Sequence, residues 1–254
     1  MKIEKVFIDF EAITNPFAKL LNIPSGTPYA YTLGLLSDKN QFKVKTFIVD
    51  FSKHHILSGI WNILKKKIIN DIKTINKYIE MKNVVFVGHN PVLEHNCLKK
   101  LFPENKVEPL ITATTVSLSK LTGKIFNEPY FVKTKKSITG FNNTFLNIAL
   151  ADRNGAIASF VGYWLYTKAI PKLRSNDKRK KYLLNLDKKM LLRELSRYSK
   201  DDVLKMIWIV EHPEETDQFL KEIFYKRELM KQLRNLNIDE NLTIKELKEK
   251  IWTL

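Results

Sequence analysis

Val6-Phe7-Ile8-Asp9-Phe10-Glu11 lies near the start of the chain, and its reading decides the fold. Val6, Ile8 and Phe10 alternate with Phe7, Asp9 and Glu11. Side chains of a strand point alternately to its two faces, so this pattern reads as a strand with both acids on one side. Two carboxylates on so apolar a strand repel each other and lose hydration. A divalent cation is the simplest remedy, and the segment therefore points to metal-dependent chemistry.

Working outward, the first half of the chain reads as mixed α/β. A strand is expected at residues 5–11. Gly26-Thr27-Pro28 marks a turn before a second strand at 29–36, and Asp38-Lys39-Asn40 a turn before a third at 42–50. Two short connections in succession predict an antiparallel meander. Residues 56–79 carry Ile60, Ile63, Leu64, Ile68, Ile72 and Ile75 at helical spacing. Residues 84–87 read as a short buried strand parallel to the first. Asn90-Pro91 then opens a helix through Leu93, Cys97, Leu98 and Leu101, with Asn90 as N-cap and Pro91 in the first helical position.

Beyond this, residues 110–118 read as a strand, Lys133-Thr134-Lys135-Lys136 as an exposed basic loop, and 141–150 as helical in spacing. Residues 172–181 read as a basic, mobile segment, and the chain turns helical from Leu183. Thr243-Ile244-Lys245-Glu246 has the form of a capping box, with Leu242 and Leu247 placed as a hydrophobic staple. The expected architecture is α/β: a mixed five-stranded sheet flanked by helices over residues 1–212, followed by a helical C-terminal extension over 213–254.

Charge narrows the partner. The chain has 254 residues with 43 Lys and Arg against 27 Asp and Glu, a net charge of +16, which favours a phosphate-rich partner. The excess of Lys over Arg, with many Ile and Asn, is also what AT-rich coding would produce. Cys97 is the one cysteine, which excludes an internal disulfide and a multi-cysteine zinc site. No apolar signal core opens the chain, and the longest apolar run, 157–166, is too short to span a bilayer. A soluble cytoplasmic protein with no membrane partner is expected.

Two further segments carry acids in telling places. Gly88-His89-Asn90-Pro91-Val92-Leu93-Glu94 follows a buried strand and sets an acid on the first turns of a helix. Tyr198-Ser199-Lys200-Asp201-Asp202 opens onto the apolar run 203–210, and Tyr198 and Asp202, four apart, share a helix face. Asp201 competes with Asp202; the spacing from Tyr198 favours Asp202. His212 and Asp217 offer a rival pair. His89, His95 and Cys97 raise the option of zinc, although a lone His or Cys on an amphipathic helix is more often a packing or surface residue. Lys65-Lys66-Lys67, Lys133-Thr134-Lys135-Lys136 and Lys178-Arg179-Lys180-Lys181 read either as solvated faces or as phosphate contacts. Tyr29, Tyr31, Tyr130, Phe131 and Tyr182 are aromatic rings able to stack bases of a single strand if exposed. There is no Gly-rich phosphate loop and no nucleophile elbow.

Taken in order, these three acidic segments resemble the motifs of the DEDD-type 3′–5′ exonucleases of the ribonuclease H-like fold, in their tyrosine variant. Asp9 and Glu11 match Asp-x-Glu. His89-Asn90-Pro91-Val92-Leu93-Glu94 matches His-Asn-x-x-Phe-Asp, with Leu93 for the aromatic and Glu94 for the aspartate. Tyr198 and Asp202 match Tyr-x-x-x-Asp. Phe7 to Glu11, Ile23-Pro24-Ser25-Gly26-Thr27-Pro28-Tyr29 and Asn90 to Glu94 are similar to a bacterial branch of that superfamily often attached to PD-(D/E)XK nuclease modules, in which Glu at the second motif is normal. The resemblance covers residues 3–212.

It implies a ribonuclease H-like sheet and hydrolysis of phosphodiester bonds in DNA or RNA. It also implies two Mg²⁺ or Mn²⁺ ions held by Asp9, Glu11, Glu94 and Asp202, with Asp9 bridging and the Tyr198 hydroxyl orienting water. Single-stranded nucleic acid is the favoured partner, with Asn90, Lys135, Lys136, Arg179 and Lys180 as its contacts and a separate nuclease module or subunit as a further partner. A structure-selective endonuclease and a non-catalytic nucleic-acid-binding module are the alternatives.

Overall fold

The opening alternation does form a strand, and it is longer than its pattern suggests: β1 spans Glu4–Ile13. The computed structural model describes residues 3–112, 115–150, 153–235 and 243–252. After β1 come α1 (Phe17–Leu21), β2 (Thr27–Leu36), β3 (Phe42–Ile48), α2 (Leu57–Ile75), β4 (Val84–Gly88), α3 (Val92–Leu101) and β5 (Val107–Pro109). The remainder is helical: α4 (Leu118–Leu121), α5 (Val132–Gly140), α6 (Thr144–Leu150), α7 (Asn154–Ala169), α8 (Lys188–Glu211), α9 (Pro213–Asn235) and α10 (Ile244–Trp252).

The five strands form one mixed sheet in the order β3-β2-β1-β4-β5. β1, β2 and β3 make the antiparallel meander, and β4 pairs parallel with both β1 and β5. β1 is thus central, and the acids it carries stand in the middle of the sheet. A register shift between Glu11 and Ala12 breaks its alternation just past the second acid.

The two faces of β1 divide the core. Val6, Ile8 and Phe10 join the main apolar cluster with Ile60, Leu64, Ile68 and Ile72 of α2. Phe7 and Val87, on the acid face, pack against Val203, Met206 and Ile207 of α8. Gly34 on β2 lets α8 come this close. A Cβ there would stand 2.8 Å from Ile207 Cδ1 and 2.9 Å from Val203 Cγ1, closer than packed atoms tolerate. The Thr32 and Ser199 hydroxyls, 2.8 Å apart, stitch the same contact.

Three expectations need correction. Residues 110–118 are not a strand where described (113 and 114 lie outside the described residues); the fifth strand is the short β5 just before them. Leu110 N bonds the Gly88 carbonyl at 2.8 Å and Val116 turns into a small apolar cluster, so the segment covers the end of α8 instead of extending the sheet. The basic loop at 133–136 is helix α5. Glu194 of α8 caps it, accepting from Lys133 N at 3.0 Å, Thr134 N at 2.9 Å and the Thr134 hydroxyl at 2.6 Å.

Asn90 is not the cap of α3. It adopts a left-handed conformation, φ 50°, and Pro91 takes the cap position without a side-chain bond. The basic segment 172–181 is tied down at its end. Lys178–Lys180 forms a 3₁₀ turn, Tyr163 donates its hydroxyl to the Arg179 carbonyl, and Arg179 chelates Asp177.

In the C-terminal region, Phe219, Leu220 and Ile223 of α9 pack against Val116, Leu121 and Ile209. The capping box of α10 is present, with Thr243 N at 2.8 Å from Glu246 Oε2 and Glu246 N at 3.3 Å from Thr243 Oγ1. The staple rests on Leu242, which lies outside the described residues. Among the described residues, no helix is long and apolar enough to cross a membrane.

Candidate active site

Three elements converge on the acid face of β1. Asp9 and Glu11 come from β1, Glu94 from the first turn of α3, and Tyr198 and Asp202 from α8. Gly88 draws α3 in. A Cβ at 88 would stand 2.9 Å from Pro91 Cβ, 3.3 Å from Glu94 Cγ and 3.5 Å from the Ile8 carbonyl. The absence of a side chain there lets Glu94 lie against β1, where its Oε1 accepts a long bond, 3.4 Å, from Phe10 N.

The carboxylates are close enough to disturb one another. Burial, then the charges of Glu11, Asp202 and Glu94, hold the Asp9 carboxyl well above the usual carboxylate range. Burial, then Asp202 and Glu94, do the same to Glu11. Burial raises Glu94 against the opposing pull of backbone N–H groups. Burial also raises Asp202, with Lys205 and Tyr198 pulling it back. Glu11 is buried, and its Oε1 has no hydrogen-bond partner among the described residues. An ionised oxygen in that state is costly, and such an atom in a folded protein calls for an absent partner.

Tyr198 is set from two sides. Its ring packs on Tyr130 and Phe131 at centroid distances of 5.3 and 5.2 Å, and the Glu194 cap of α5 holds those two rings in place. Its hydroxyl reaches Asp202. Burial and the Asp202, Glu11 and Asp9 charges keep it a neutral phenol, with its proton well above the usual tyrosine range. Asp202 bonds Lys205 Nζ at 2.8 Å, and Lys205 in turn lies over the Tyr130 ring at 4.7 Å with the Tyr130 hydroxyl within reach.

The donors suit a hard divalent cation, since all four are carboxylates and one oxygen is orphaned. As the side chains stand, no three His, Cys, Asp or Glu residues among those described are gathered tightly enough to hold a metal ion. Asp202 is turned to Lys205 and Glu94 to the β1 backbone.

The remaining candidates fall into place around this patch. Asp201 points away, toward Arg197 at 3.8 Å. His212 stacks on Trp208 and bonds its carbonyl, and Asp217 pairs with Lys221 at 2.7 Å, so the rival pair is engaged elsewhere. His89 bonds the Val116 carbonyl through Nε2 at 2.8 Å, and burial holds its ring neutral. Cys97 is buried in the main core, its thiol pushed up to about 12 by burial. Asn90 is exposed at the turn before α3, and Lys135 and Lys136 lie on α5, where Lys135 lines a cavity with Ile138, Leu146 and Ile157.

Arg179 and Lys180 sit apart, by the 3₁₀ turn packed near α1, where Arg179 lines a cavity of about 810 Å³ with Arg174 and Tyr166. Tyr29, Tyr31, Tyr130, Phe131 and Tyr182 are all buried, which removes them as base-stacking surfaces; Tyr130 packs on Tyr198 at the border of the site. Lys205 and Tyr130 were not among the residues that the sequence marked as catalytic. A lysine inside the apolar run after Asp202 was a visible signal; Tyr130 was marked only as a ring able to stack bases. No protein-family model and no curated protein matches the chain significantly.

Proposed function

We propose that this chain is a metal-dependent 3′–5′ exonuclease of the ribonuclease H-like class, hydrolysing phosphodiester bonds of DNA or RNA, with single strands favoured. One observation carries the reading. Four carboxylates from three separate segments share one face of the central strand, too close to ionise comfortably, with a Glu11 oxygen lacking any partner. Such a patch is unfavourable in the free protein and becomes favourable when a cation neutralises it.

Asp9, Glu11 and Glu94 would hold Mg²⁺ or Mn²⁺, with Asp202 beside them. When bound, such an ion supplies positive charge against the scissile phosphate and lowers the pKa of water. The Tyr198 phenol, neutral and braced by two rings, orients the attacking water through its hydroxyl. Lys135 and Lys136 on α5 face phosphates of the incoming strand, as the net charge of +16 favours. The order β3-β2-β1-β4-β5, with a central acidic strand, is compatible with the ribonuclease H-like assignment.

The test is digestion of end-labelled single- and double-stranded DNA and RNA with Mg²⁺ or Mn²⁺. A ladder growing from one end, abolished by chelator, supports the exonuclease. Internal cuts support the structure-selective endonuclease, and binding without cleavage supports a module acting with a separate nuclease subunit.

A further inference from the structure

Lys205 has no exposed surface, a rare condition for a lysine. Its Nζ stands 2.8 Å from Asp202 Oδ1 and 4.7 Å from the Tyr130 ring centroid, with the Tyr130 hydroxyl in reach. The ammonium stands within the carboxylate patch, held by the ion pair with Asp202 of its own helix and covered by the Tyr130 ring just before α5.

We propose that the Lys205 ammonium is a built-in cation that takes the place beside Asp202 which a second divalent ion would occupy, so that the site binds a single Mg²⁺ or Mn²⁺ among Asp9, Glu11 and Glu94. This rests on the metal-dependent reading above. The distribution of compensation within the patch argues for it. Asp202 has the Lys205 ammonium at 2.8 Å. Glu11 is buried, and its Oε1 has no hydrogen-bond partner among the described residues. The part of the patch still needing positive charge is the β1–α3 side. A divalent ion on Asp202 would have to sit within a few ångströms of the ammonium, and Lys205 cannot move aside into solvent, because its side chain is only 1% exposed.

The experiment is titration of the metal-free full chain with Mn²⁺, without nucleic acid, read by calorimetry and by the electron paramagnetic signal of free Mn²⁺. The wild type should bind one ion. Lys205→Met, which keeps the length of the side chain and removes the charge, should bind two. Circular dichroism and melting check that it folds. If it does not fold, Asp202→Asn serves instead. It should keep the single ion, with affinity changed less than about threefold, while Glu11→Gln should lose it. Two ions in the wild type, or one ion in a folded Lys205→Met, overturns the proposal and leaves the metal-dependent reading standing. Loss of the ion in Asp202→Asn has the same meaning. No bound ion in any form overturns both.

Discussion

The two sides of the carboxylate patch handle the same difficulty differently. On the α8 side, Asp202 is answered from within the chain by Lys205 at 2.8 Å and by the Tyr198 hydroxyl. On the β1–α3 side, Glu11 and Glu94 are buried; Glu94 has only backbone N–H groups, that of Phe10 at 3.4 Å and its own, and a Glu11 oxygen has no partner among the described residues. A fold that can supply an ammonium within one turn of an acid, and withholds it from the neighbouring acids, leaves those neighbours open to a cation from outside. Under the metal-dependent reading proposed above, the contrast separates a structural ion pair from the side that would take the cation.

The largest effect should come from the uncompensated side. Asp9→Asn or Glu11→Gln should lower turnover by at least about 10³-fold, on the order of 4 kcal/mol of transition-state stabilisation. The same substitutions should stabilise the metal-free protein. Glu11 has its folded pKa raised, so the folded state binds more protons than the unfolded one above the ordinary carboxylate range. Stability is therefore lost as pH rises through that window. His89 runs the other way, since burial lowers its pKa and its contribution is lost as pH falls. The informative quantity is thus the difference between wild type and Glu11→Gln: wild type should lose more melting temperature between about pH 4.5 and 7.5, and saturating Mg²⁺ should erase the gap. Parallel pH profiles without metal would remove the claim that the β1–α3 side is electrostatically strained.

A smaller effect is expected on the α8 side. Tyr198→Phe keeps the ring against Tyr130 and Phe131 and removes only the hydroxyl. Turnover should fall by roughly 10–1000-fold with KM little changed, the pattern of a group that acts in the transition state. His212→Ala should leave turnover within about twofold, because the ring stacks on Trp208 at the far end of α8. Steady-state kinetics of the two variants side by side decides the matter; an inactive His212→Ala beside an active Tyr198→Phe would give the site to the rival pair.

How much of this was legible beforehand varied with the range of the interactions. β1 to β4 and α2 announced themselves by local periodicity, and the acids of β1 and their common face followed from alternation alone. Residues 110–118 misled because Ile111-Thr112-Ala113-Thr114-Thr115-Val116 is rich in β-branched residues and strand-like, while its described carbonyls bond side chains, Thr115 to Arg227 and Val116 to His89, and only Leu110 before it bonds a strand, at Gly88. α5 was hidden because its cap is Glu194, about sixty residues away, and not a neighbour in sequence. Lys205 was visible as a charge three residues after Asp202, but no local rule says that such a lysine is buried. The acids that meet on this face were readable, and the contact by which one of them is paired was not.

The smallest predicted effect sharpens the comparison beyond the carboxylates. Lys135 and Lys136 lie on α5, which follows directly on the two rings packed against Tyr198, and neither forms an ion pair among the described residues. Arg179 is chelated by Asp177, whose carboxyl is held down to about 2 by that contact, and it sits by a different cavity. Each lysine that neutralises a phosphate of a single strand contributes about 0.7 to the slope of log affinity against log salt. Neutralising both lysines of α5 as Lys135→Gln with Lys136→Gln should therefore shrink the slope by about 1.4 and weaken binding several-fold at low salt. Arg179→Gln with Lys180→Gln should shrink it by about half as much or less, because Arg179 is already occupied by a carboxylate. Fluorescence anisotropy of a labelled single strand across a salt series measures both. Equal losses in the two double variants would mean that the strand spans both basic regions, and unchanged slopes in both would make these residues solubilising surface only.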